Sequence, residues 1–139
     1  MSKPRRTFQR GQELAEYALL LPVFLLLVMV IVDMGRATYY YSVVQNAARE
    51  GARAGVVLDP DDPLWEEKVE DAARQKAIGL HTDRVAVVSS LVEQDPYLLV
   101  KVGITYQFQP VSFIIGRLFG IGPGEYITLG SHSTMRAEW

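Results

Sequence analysis

The chain has 139 residues, a formal charge of −2 and no cysteine. That length fits one domain, and the composition excludes disulfides and thiolate metal sites. Lys3, Arg5, Arg6 and Arg10 make residues 1–11 purely basic, leaving ten basic residues against sixteen acidic ones in the remainder; an acidic body argues against nucleic-acid binding, which requires a basic face.

Residues 1–11 read as a basic leader. Between Glu16 and Arg36 lie nineteen residues with one charge, Asp33. As a helix they extend roughly 28 Å at about 1.5 Å per residue, close to the ~30 Å of bilayer hydrocarbon. This sets a membrane span at about 17–35, with Arg36 snorkelling at its far end. A basic tip ahead of the span predicts the N-terminus in the cytoplasm and the body outside. Gly35 and Ala37, two apart after an apolar core, offer the rival reading of a cleavable secretory signal. The core is long for such a signal, and Asp33 and Arg36 crowd the cleavage point. Glu16 is unusual for an anchor, since an acid at the membrane boundary costs insertion energy. Pro22, inside the apolar run, leaves the Ala18 carbonyl without its helical partner. It marks a kink, or a segment able to lose helix locally on leaving lipid.

The helix is expected to continue to about residue 57. Ala47, Gly51 and Gly55 repeat every four residues, as do Ala48 and Ala52, making a narrow stripe that lets another backbone approach closely. That backbone is either the chain's own sheet or a second subunit. Gln45, Arg49 and Arg53 form an adjacent solvated stripe, with Glu50 in position to pair with Arg53. Asp59-Pro60-Asp61-Asp62-Pro63 then ends the helix and starts another. Asp62 has the chemistry of an N-cap and Pro63 suits the first helical position. Leu64, Val69, Ala72, Ala73, Ala77 and Leu80 supply the apolar face of this second helix.

From Arg84 the period changes to two. Val85, Val87, Ser89 and Leu91 form one face of a first strand. Gln94-Asp95-Pro96 is a turn. Leu98, Val100, Val102, Ile104, Tyr106 and Phe108 then alternate with Lys101, Gly103, Thr105, Gln107 and Gln109, the clearest strand in the chain. A third strand, 126–136, puts Ile127, Leu129, Met135 and Ala137 on one face. Residues 111–121, between the second and third strands, are too apolar for an ordinary exposed loop. They either close one end of the core or dock on a membrane or another subunit.

The fold class expected is α+β. The boundaries are a basic leader (1–11), a long N-terminal transmembrane helix (12–57) and a small extracytoplasmic body (58–139). The body carries a second helix and a three-stranded antiparallel sheet packed on the C-terminal half of the long helix, because a sheet of three strands needs cover for its apolar face. His81 with Asp83, and Ser131-His132-Ser133, contain triad residue types without a nucleophile elbow. No cofactor, metal site or catalytic residue is expected.

A glycine, four residues and then Glu-Tyr, as in Gly11-Gln12-Glu13-Leu14-Ala15-Glu16-Tyr17, resembles the processing site of the Flp-type tight-adherence pilins and pseudopilins. Ala15-Glu16-Tyr17-Ala18-Leu19-Leu20-Leu21-Pro22, Asp33-Met34-Gly35-Arg36 and Asn46-Ala47-Ala48-Arg49-Glu50-Gly51-Ala52-Arg53 look like the N-terminal region of the TadE/TadG-like family. The resemblance covers residues 11 to about 55. It implies cleavage after Gly11 by a prepilin peptidase on the cytoplasmic side, with Gln12 as the new N-terminus. It also implies an assembly role for Glu16 and Tyr17, and, as partners, other pilin or pseudopilin subunits and the pilus assembly platform in a bacterial inner membrane. Flp major pilins are very short, so the folded body fits a minor pilin or pseudopilin concerned with assembly, adhesion or secretion. The alternative is an uncleaved single-span protein assisting assembly or adhesion from the membrane. Cleavage would create an α-ammonium one helical turn from Glu16. In an apolar filament core each charge is expensive unless paired, so Glu16 of one subunit is expected to neutralise the Gln12 amine of the next.

Overall fold

The computed structural model describes residues 7–137 apart from 95, 113–115, 118, 119, 121 and 123, with side chains from Gln12 onward. Lys3, Arg5 and Arg6 of the expected leader, and much of the apolar segment 111–121, therefore lie outside the described residues. One helix, α1 (Thr7–Val57), takes up 51 residues. It starts ahead of Gly11 and passes through Pro22 without interruption. A single glycine costs a helix only about 1 kcal/mol. The proline removes one hydrogen bond, which the long uninterrupted run on either side absorbs.

The second helix, α2 (Trp65–Lys76), begins later than the Asp-Pro signal suggests. Asp62 does not cap it. Its carboxylate instead accepts the Leu64 N–H at 2.9 Å, and its carbonyl accepts the Trp65 N–H at 2.9 Å. Asp59 likewise accepts the N–H of Asp61 at 3.0 Å. These aspartates fold the connection into successive turns ahead of the helix. An ion pair with Lys68 and the Leu64 amide hold the Asp62 carboxyl below its ordinary range. The buried face of α2 is Trp65, Val69 and Ala73, at i, i+4 and i+8, whereas Leu64 is half-exposed and Ala72 lies at the margin. Trp65 takes the place expected for Leu64 because its indole N–H donates to the Gly55 carbonyl at 3.2 Å, pinning the start of α2 to the last turn of α1.

A short 3-10 turn, Thr82–Arg84, leads into three strands: β1 (Val85–Gln94), β2 (Tyr97–Phe108) and β3 (Ile127–Ala137). They form an antiparallel meander in the order β1-β2-β3. Val87 pairs with Ile104 and Val102 with Ser133, so the inward rows of all three strands align. On β2, Val100, Val102, Ile104, Tyr106 and Phe108 are fully buried. Val44, Ala47, Ala48 and Ala52 of α1 and the apolar face of α2 cover them. The fold is α+β, with the sheet lying against the C-terminal half of the same helix whose N-terminal half is bare.

Candidate assembly and anchoring surface

From Gln12 to Met29 every residue of α1 is exposed. Leu19, Leu20, Phe24, Leu27 and Ile31 are among the large apolar side chains open on all sides of this cylinder. An all-round apolar helix with no protein cover has the length and composition of a membrane span, and so large a bare patch marks contact with lipid or with other subunits. Gln12, Glu16 and Tyr17 lie on it, exposed, and Gly11 sits in the same helical backbone. Glu16 makes no hydrogen bond or ion pair with any described residue. One helical turn separates it from Gln12, so the two share a face.

The small-residue stripe lies at the other end of α1 and faces the chain's own body. A Cβ built on Gly51 would come 2.8 Å from the Ala73 Cβ and 3.1 Å from Val102 Cγ1. On Gly55 it would come 2.7 Å from Val100 Cγ1 and 3.0 Å from the Trp65 ring. Ala47 is completely buried beside them. Of the neighbouring stripe, Arg49 and Arg53 are exposed, and the Arg49 Nε donates to the Gln45 carbonyl at 3.3 Å. The described residues contain no Glu50–Arg53 ion pair.

Between these two regions lies a site that sequence reasoning missed. Asp33, by sequence the lone charge near the end of the apolar run, is 1% exposed. Its Oδ1 accepts the Val111 N–H at 3.0 Å and its Oδ2 accepts the Ser112 N–H at 2.5 Å. Arg36, one turn on, donates to Oδ1 at 3.2 Å. The carboxylate thus ties the start of the β2–β3 connection to α1. Arg36 also lies over the rings of Tyr40 and Phe108, with 5.8 and 5.4 Å from Cζ to the ring centroids. Tyr40 meets Tyr106 edge-on at 5.2 Å. Burial, reinforced by the neighbouring Tyr40, pushes the Tyr106 phenol above its ordinary value. The only sequence signal for this site is the pairing of an acid with an arginine at i, i+3, which the eye reads as an ordinary helix-surface pair.

His81, in the turn before β1, and His132, on the outward face of β3, are both exposed and sit on different elements. Among the described residues no group of acids and histidines is placed to hold a metal ion. Residues 11–53 match the family model described as TadE-like protein. No curated protein and no solved structure matches the chain. The match starts at Gly11 and ends inside α1, so it covers the bare cylinder, Asp33 and most of the small-residue stripe, and leaves α2 and the sheet outside it.

Proposed function

We propose that this chain, whose N-terminal segment is TadE-like, is a pseudopilin or minor pilin of the tight-adherence pilus system, with a structural rather than a catalytic role. It sits in the bacterial inner membrane with residues 1–11 in the cytoplasm and the body outside. A prepilin peptidase cuts after Gly11, and Gln12 becomes the mature N-terminus. The observation that carries the reading is Glu16: an exposed carboxylate, unpartnered by any described residue, one turn after the exposed Glu13 and directly ahead of the apolar run, on a helix whose family match opens at Gly11. Removing the leader takes away the basic tip that holds the chain N-in and puts a free ammonium at the start of α1. Other pilin or pseudopilin subunits and the assembly platform are then the partners that bury the cylinder.

One feature of α1 favours the second reading, an uncleaved anchored protein that assists assembly or adhesion. The helix runs unbroken through Gly11 from Thr7, and a peptidase reaches that bond only after the first turns open. Mass spectrometry of the protein recovered from its host separates the two. A mature chain starting at Gln12, with only the full-length form in a Gly11→Leu variant, is the expected result. A wild-type chain that still begins at Met1 or Ser2 rejects processing and leaves the anchored reading.

A further inference from the structure

Tyr17 opens the uncharged apolar run of α1 and Tyr39 stands six residues beyond Asp33, and both side chains are more than half exposed. Twenty-two residues of helix separate them, roughly 33 Å at about 1.5 Å per residue. Aromatic residues collect at the two membrane–water interfaces, and the hydrocarbon between is ~30 Å thick. Tyr41, also exposed, extends the upper ring of phenols. Counted from Tyr17, Asp33 stands only about 24 Å up the axis, inside the hydrocarbon on the body's side rather than above it.

A carboxylate at that depth must be paired and shielded, and Asp33 is both. Its cover comes from the β2–β3 connection, so the connection has to reach the same depth. Non-helical backbone at membrane depth is tolerated only where it is buried in protein, and Ser112, like Asp33, is buried against α1. Here the amides of Val111 and Ser112 are satisfied by Asp33 itself. Each side removes the other's penalty. Val111, whose N–H makes one of these bonds, has a side chain that is 64% exposed. We propose that the start of the β2–β3 connection is seated in the leaflet on the body's side, with Val111 among the acyl chains and Asp33 as the clasp that fixes its depth. The body is therefore set into the membrane surface before any assembly, not carried above it on a stalk.

The inference rests on α1 spanning a bilayer, and the experiment separates the two. Because the chain has no cysteine, single cysteines at Leu25, Val111 and Val88 of the full chain can carry a polarity-sensitive fluorophore in phosphatidylcholine vesicles containing spin-labelled lipid. Leu25 and Val111 should both be blue-shifted and quenched from within the bilayer, and Val88, on the outward sheet face, only by aqueous iodide. Val111 behaving like Val88 while Leu25 is quenched overturns the seating and leaves the span intact. An unquenched Leu25 overturns both. Hydrogen exchange tests the clasp directly: Asp33→Ala should lower protection of the Val111 and Ser112 amides by about tenfold or more with Val100, Val102 and Ile104 unchanged. Unchanged protection at Ser112 would show that Asp33 does not hold the connection.

Discussion

Gly51 and Gly55 are glycines because there is no room for a methyl group. The nearest atoms to an added Cβ are a methyl of Ala73, a methyl of Val100 and the Trp65 ring, all held in the core and none the end of a flexible chain. Overpacking of this kind costs about 1–3 kcal/mol, against a gain of about 1 kcal/mol from replacing glycine with alanine in a helix. Gly51→Ala and Gly55→Ala should therefore lower the melting temperature, Gly55→Ala more because three side chains crowd it. Gly35→Ala meets nothing within 4 Å and should leave thermal stability unchanged or slightly raised in the same measurement. The spacing of these glycines is legible in the sequence, since every fourth residue falls on one helical face. Which surface they meet is not, because Ala73 and Val100 approach from elements that begin well after the stripe ends.

The division of α1 into a bare half and a buried half makes the body dependent on a segment that precedes it in the chain. Val44, Ala47, Ala48 and Ala52 form one wall of the core, and without them the inward row from Val100 to Phe108 faces water. A fragment starting at Thr38 should fold cooperatively, and one starting at Asp59 should show no cooperative thermal transition by circular dichroism. Equal stability of the two would mean that α1 contributes nothing to the core. The alternation along β2 and the return of β3 are readable from residue order alone, since period two follows directly from strand geometry. The start of α2 is not. Asp62 followed by Pro63 imitates a helix cap, and the competing turn bonds and the reach of Trp65 to Gly55 appear only in three dimensions. Asp33 is the same case at longer range: its partners are 78 and 79 residues away, and no local pattern announces them.

At the scale of the whole molecule, the chain divides its surface between lipid-grade hydrocarbon at one end and an acidic, water-facing body at the other, and Glu16, with Glu13 one turn before it, puts a carboxylate at the edge of the wrong half. Burying a carboxylate opposes insertion, so on the proposed reading Glu16→Gln should reach the membrane at normal levels with the same N-terminus as the wild type. Losing one member of a buried ion pair costs about 3–5 kcal/mol, and the loss should appear as failure to enter filaments or assembly complexes in a co-purification assay. Normal assembly of Glu16→Gln would reduce Glu16 to an interfacial charge. The α+β class and the order of elements follow from composition and periodicity, and the residues that place the body against the span do not. One more consequence follows from α1 being a single rod with an apolar, uncovered half at one end and the sheet at the other. Each residue of helix turns the rod by about 100°, so the bearing of the sheet about the helix axis is tied to the bearing of each face of the apolar half. On the proposed reading, a subunit that docks on one face of the apolar half also sets, at a distance, which way the sheet looks.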